Sequence, residues 1–156
     1  MKSISSKQIV NEETVQKLLV KWFKINEYVV IERCIENPIL FNDISQCTTH
    51  DVFGIDIVAK KDNLWIIEVK GDSTAGVAGA TANFRSGIGQ ILTRMHKIST
   101  DIHYALAVPN TDNYIPAVRK IIDSKALPIL NLSIISFRFL REAEGKANKI
   151  SLILFF

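Results

Sequence analysis

Cysteine is scarce in this chain. Of 156 residues only two are Cys, Cys34 and Cys47, and neither sits in a Cys-x-x-Cys or Cys/His pattern. That sets aside a disulfide scaffold and a zinc site, and the two thiols read as buried or free groups of a reducing compartment. Long apolar runs are absent as well: no stretch approaches the ~18 residues a membrane span needs. The polar N-terminus has no apolar segment of the signal-peptide kind. The histidines His50, His96 and His103 show no metal-ligand spacing, and no segment repeats. The expectation is a cytoplasmic protein without a membrane partner.

What is present suits a globular chain. Hydrophobic residues make up 47% and charged residues 22% of the sequence, which predicts one domain over residues 1–156 with a real core. The net charge of +3 is compatible with a polyanionic partner, but only clustering on one face would make it a binding footprint.

Periodicity predicts a first helix from about Asn11 to Lys24, with Asn11 as N-cap and Val15, Leu18, Leu19, Trp22 and Phe23 on one buried face. A strand is expected over Tyr28 to Ile35, followed by a long polar connection from Asn37 to Asp51. Two runs rich in β-branched and aromatic residues come next, Asp51 to Ala59 and Leu64 to Lys70. A short polar turn joins them into a hairpin. Gly71 to Asn83 reads as a flexible loop. A second helix is expected from about Arg85 to Lys97, with Ile88, Ile91, Leu92, Met95 and Ile98 as its apolar stripe and Gln90, Arg94 and Lys97 on another face. A strand over His103 to Val108, a helix over Tyr114 to Ser124 and a strand over Pro128 to Phe137 follow. The apolar end, Lys149 to Phe156, is an added strand or an interface segment. The sum is an α/β fold, a mixed central sheet flanked by helices.

The chemistry concentrates in the hairpin. It carries Gly54-Ile55-Asp56 on one arm and Glu68-Val69-Lys70-Gly71 on the other. Side chains alternate along a strand, so Glu68 and Lys70 share a face while Ile67 and Val69 take the other. Asp56 can lie beside Glu68 on the neighbouring strand. Charges within an apolar strand are costly unless paired. Two acids and a cation could hold a divalent metal and a phosphate: Asp56 and Glu68 as hard oxygen ligands, the Val69 carbonyl as a third, and Lys70 to orient water or neutralise developing charge. The plainer reading is a Glu68–Lys70 ion pair on a solvent-facing strand.

This spacing resembles the PD-(D/E)xK nuclease superfamily, in its resolvase-like and RecB-like branch, over about residues 10 to 110. On that resemblance the core is a restriction-endonuclease-like αβββαβ arrangement. Asp56 takes the aspartate position, Glu68 and Lys70 form the ExK half-motif, and Ile55 stands where the name-giving proline would be. The resemblance also implies a metal-ligating glutamate at the start of the first helix, for which Glu12 and Glu13 compete. Glu12 lies on the line of Val15 and Leu19, so it is expected to face the site. A glutamine after the lysine strand is matched by Gln90; a surface polar residue is its alternative.

The function so implied is metal-dependent endonucleolytic hydrolysis of DNA. The metal is Mg²⁺ or Mn²⁺, held by Glu12, Asp56 and Glu68, with catalytic roles for Asp56, Glu68, Lys70 and Gln90. Arg85, Arg94 and Lys97 are candidate phosphate contacts, or simply a solvated helix face. A homodimer would let two sites address two strands. A non-catalytic DNA-binding or accessory subunit, and an interaction module without nucleic acid, are the alternatives.

Overall fold

The computed structural model describes residues 10–32, 54–95, 98–140 and 149–155. Within them lie α1 (Glu12–Ile25), β1 (Val29–Glu32), β2 (Ile57–Lys60), β3 (Leu64–Val69), α2 (Gly76–Thr93), β4 (Ile102–Pro109), α3 (Ile115–Ile121), α4 (Ala126–Ile129), β5 (Leu132–Leu140) and β6 (Lys149–Phe155). The six strands form one sheet in the order β1-β2-β3-β4-β5-β6. β1, β2 and β3 run antiparallel in turn, β3, β4 and β5 are parallel, and β6 closes the far edge antiparallel to β5. The sheet is therefore mixed and flanked by helices, an α/β architecture. The apolar C-terminal segment is one of its strands.

The period-two alternation of the strands divides the core in two. One set, Val58, Leu64, Ile66, Tyr104, Leu106, Val108 and Ile134, packs with Phe84 and Ile91 of α2, Val118 of α3 and Leu127 of α4. The other set, Ile57, Ala59, Ile67, Val69, Ala105, Ala107, Ile135 and Phe137, packs with Val15, Leu19, Val20 and Phe23 of α1. A strand covered on both faces reads as a continuous apolar run, which explains Leu64 to Val69. It also makes the one acid in that run, Glu68, conspicuous.

α1 begins as expected: the Thr14 N–H donates to Asn11 Oδ1 at 2.8 Å. Its packed stripe includes Gln16 and Val20, while Leu18 and Trp22 are only half-buried. α2 departs further. Most of the expected loop over Gly71 to Asn83 is helix from Gly76 onward, and the helix ends at Thr93 with Arg94 as C-cap. Its buried residues are Ala80, Phe84, Gly87 and Ile91, whereas Leu92 and Ile98 are exposed. The helix meets the sheet through its smallest residues: a Cβ on Gly87 would come within 2.5 Å of Leu106 Cδ1. Close approach selects small side chains at Ala80 and Gly87, with Phe84 and Ile91 packed on either side and Ile88 and Met95 against the core edge.

Pro128 is not in a strand. It sits in the first turn of α4, where a missing N–H is tolerated, and β5 starts only at Leu132. The expected connection over residues 37–51 lies outside the described residues, as do the end of the first strand, Cys34, Cys47, His50, His96 and Lys97. Among the described residues, no helix is long and apolar enough to cross a membrane.

Gly71 fixes how α1 sits against the end of β3. A Cβ there would overlap the backbone nitrogen of Glu12 and stand 2.8 Å from the carbonyl carbon of Asn11. The two backbones touch, and the Asp72 N–H donates to the Val10 carbonyl at 2.7 Å beside them. Gly71→Ala is expected to lower stability by about 1–3 kcal/mol, because backbone rather than a flexible side chain must move; urea denaturation measures it.

Candidate functional site

β2 and β3 pair with Ile57 opposite Ile67 and Val58 opposite Ile66. Continuing that register puts Asp56 opposite Glu68. Asp56 comes just before β2, and its Oδ2 accepts the Val69 N–H at 2.8 Å. Its backbone carbonyl accepts from Gln16 Nε2 at 3.1 Å, tying the hairpin to α1. Burial pushes the Asp56 carboxyl up from 3.8 to about 6. The Val69 N–H opposes that rise, the charges of Glu68 and Glu12 add to it, and Lys70 offsets part of it.

Glu68 is enclosed. Only 3% of its side chain is exposed. Lys70 Nζ lies 2.7 Å from Oε1, and Arg94 Nη1 pairs with Oε2. An unpaired carboxylate at this depth would be prohibitive, and two cations remove that cost. The Lys70 stem runs beside Gly87, where a Cβ would be 3.3 Å from Lys70 Cγ. Arg94 reaches in from the end of α2 past Gly54, where a Cβ would sit 3.4 Å from Arg94 Nη2. Gly54 has φ +77°, a conformation that L side chains rarely adopt. The glycine before Asp56 thus makes the turn and leaves room for the guanidinium.

Gln90 lies three residues beyond Gly87 and four before Arg94, on the helix face that serves Lys70 and Glu68. Its Oε1 is buried with no hydrogen-bond partner among the described residues. Just beyond Lys70, the Gly71 carbonyl accepts from the Tyr114 hydroxyl at 2.6 Å, and Asp72 Oδ1 accepts from Asn113 Nδ2 at 3.0 Å. Burial pushes the Tyr114 phenol up to about 12, so it stays protonated as the donor.

Glu12 and Glu13 separate. Glu13 Oε1 accepts from Lys17 Nζ at 2.6 Å on the exposed side of α1. The charge of Glu12 is felt by both Asp56 and Tyr114. Glu12 itself is exposed, because the packed stripe starts only at Val15 and leaves the first turn outside it. The structure therefore brings Asp56, Glu68, Lys70 and Arg94 together, with the charge of Glu12 reaching Asp56 from an exposed position and Gln90 one helical turn before Arg94. The three candidate phosphate contacts fall in different places. Arg94 turns inward, Arg85 is exposed about two and a half turns earlier and so on the opposite side of the helix, and Lys97 is outside the described residues.

Sequence reasoning missed Gln16 and Tyr114. Gln16 left a trace, since a polar side chain on a buried helical stripe calls for a partner. Tyr114 left none, because its partner is a backbone carbonyl. The solvent-facing reading of the Glu68–Lys70 pair is excluded by the burial of Glu68.

Chemically, the cluster offers two opposed carboxylates, a third at the rim, an unpartnered amide oxygen and two cations. Hard oxygen donors suit Mg²⁺ or Mn²⁺ rather than a soft metal. The raised Asp56 carboxyl marks a place where added positive charge would be favourable. Among the described residues, no three His, Cys, Asp or Glu side chains converge closely enough to hold an ion by themselves. Any ion here therefore rests on the Asp56–Glu68 pair together with water or substrate oxygens. Set against family models, curated proteins and solved structures, the chain matches none of them.

The raised Asp56 carboxyl makes a testable pH dependence. Between about pH 4 and 6 the folded chain holds a proton that the unfolded chain has lost. Stability therefore falls as pH rises through that window, and the full cost is present above about pH 6. Asp56→Asn removes the charge while keeping an acceptor for the Val69 N–H. The variant is expected to be more stable than the native chain at pH 8, on the order of 1 kcal/mol given partial solvent exposure, with no gain at pH 4. Thermal melts at the two pH values measure this.

Proposed function

We propose that the chain is a metal-dependent endonuclease of the restriction-endonuclease-like PD-(D/E)xK kind, hydrolysing DNA phosphodiester bonds. The observation that carries this reading is Asp56 standing across a hairpin from a buried Glu68, with Lys70 bonded to that glutamate. The element order α1, β1, β2, β3, α2, β4 is consistent with the αβββαβ core such an enzyme needs. The C-terminal ends of the parallel strands, where ligands usually bind in open α/β sheets, are also where Lys70 and Tyr114 lie.

Asp56 and Glu68 would hold the ion, with Glu12 near enough to add charge from the rim. Bound there, a divalent cation lowers the pKa of water and offsets charge on a phosphate. Lys70 has two roles in this reading: it holds Glu68 in place through Oε1, and its ammonium offers positive charge for the pentacoordinate transition state. The Gln90 amide, whose oxygen has no partner among the described residues, would accept a hydrogen bond from water or orient Lys70. Water is kept away from the Glu68 side by Gly87 and Leu106, which press α2 onto the sheet.

A non-catalytic DNA-binding or accessory subunit is the second reading. The observation in its favour is that Glu68 is already matched on both oxygens by Lys70 and Arg94, which is a satisfied arrangement without any ion.

Lys70→Met keeps the stem against Gly87 and removes the ammonium. Mg²⁺-dependent cleavage of plasmid and single-stranded DNA is expected to fall at least about a hundredfold with the circular dichroism spectrum unchanged. Retained cleavage would rule out the catalytic role, and DNA binding without cleavage by the native chain would favour the accessory reading. Metal affinity is expected to drop as pH falls through about 6, because protonating Asp56 removes a ligand charge. Asp56→Asn is expected to bind weakly at every pH. Calorimetric titration with Mg²⁺ measures both.

A further inference from the structure

Arg94 occupies one of the two carboxylate oxygens of Glu68. Both carboxylate oxygens are engaged, Oε1 by Lys70 and Oε2 by Arg94. The two cations are held differently. Lys70 belongs to the end of β3, its backbone N–H donates to the Ala107 carbonyl at 2.9 Å, and its stem is confined beside Gly87. Arg94 is the C-cap of α2, with 17% of its side chain exposed. It comes in past a glycine that presents no side chain against it. A guanidinium and a divalent cation on one carboxylate oxygen repel each other strongly in a partly desolvated site. A buried Glu68 with neither would be an uncompensated charge.

We propose that Arg94 is an internal counter-ion for Glu68 that stands in the metal's place and exchanges with it, so that ion binding releases the guanidinium to the mouth of the site. This rests on the ion-site reading above. Arg94 is a positioning residue on this view: it holds Glu68 in its buried rotamer in the ion-free chain and sets the ion affinity by competition. Once displaced from the carboxylate, its planar fork matches a phosphate oxygen pair in geometry and charge. Lys70 keeps its bond to Oε1 throughout, so Glu68 never loses all compensation.

The test is Mn²⁺ titration of the full chain without nucleic acid, followed by calorimetry, for the native protein, Arg94→Met and Arg94→Lys. Arg94→Met is expected to bind Mn²⁺ at least about tenfold more tightly than the native chain, and Arg94→Lys to stay close to native, because the competing charge is restored. A folded Arg94→Met with unchanged or weaker Mn²⁺ affinity overturns the exchange while leaving the ion site standing. No Mn²⁺ binding by any of the three overturns the ion site itself, and the exchange with it. Should Arg94→Met fail to fold, the native chain answers alone. The Arg94 Nη1–H resonance, bonded to Glu68 in the ion-free chain, is expected to lose its protection from solvent exchange at saturating Mg²⁺, and an unchanged signal there overturns the proposal.

Discussion

Glu68 sits in a strand whose neighbours are Ile66, Ile67 and Val69, with helices over both faces of the sheet. A carboxylate in that position is tolerable only with its charge compensated. The compensation comes from two directions: Lys70, two residues along the strand, and Arg94, from the end of a helix 26 residues further on. Much of the local architecture follows from that requirement. α2 has to lie close enough for Arg94 to reach, so glycine stands at position 87, and Gly54 leaves the guanidinium space. Replacing such a buried ionic cluster with apolar residues is often neutral or stabilising. Stability alone is therefore a weak account of why it exists.

A second constraint is the backbone contact at Gly71. It places the start of α1 beside the segment following Lys70, and Gln16 then holds the Asp56 carbonyl from the same helix. Two elements far apart in sequence thereby fix the two arms of one hairpin. Asp56 is held on three sides: by the Val69 N–H at its carboxylate, by Gln16 at its carbonyl, and by the β2 register behind it. Its elevated carboxyl is a consequence of burial and of Glu68 opposite, with Glu12 adding from outside and the Val69 N–H working against them.

The parts of this arrangement that were readable in the sequence are those governed by local periodicity. The β-branched and aromatic residues of the two runs and the short polar turn between them give the hairpin, on which Asp56 can lie beside Glu68; the pairing of Ile57 with Ile67 is what sets the two opposite. Helical spacing separates Glu12 from Glu13, although Glu12 stays exposed because the packed stripe begins only at Val15, and it puts Gln90 on one face with Arg94. The missed features depend on contacts between distant elements. The extent of α2 was obscured because glycine and alanine between residues 76 and 89 resemble a flexible segment, whereas here they permit close packing. Of the expected apolar stripe, Ile91 is buried and Ile88 and Met95 pack against the core, while Leu92 and Ile98 are exposed, because the helix starts earlier and turns Ala80, Phe84 and Gly87 to the sheet. Arg94 was placed among solvent-facing cations because nothing local says that a helix-terminal arginine will turn towards a strand. The restriction-endonuclease-like assignment stands where the residues put it, as a proposal carried by the site.

The two acids and the lysine all belong to a single hairpin, while the second cation arrives from elsewhere in the chain. Closing a short loop costs little entropy and is fast, whereas docking a distant helix requires a longer loop to close first. In the order of folding, the hairpin can therefore pair its backbone before Arg94 is within reach, leaving Glu68 with Lys70 alone. A carboxylate in that condition retains its hydration. Dehydration of this part of the molecule thus belongs to the step in which the long helix settles onto the sheet, and the innermost strand becomes dry last at the very point where its charge lies.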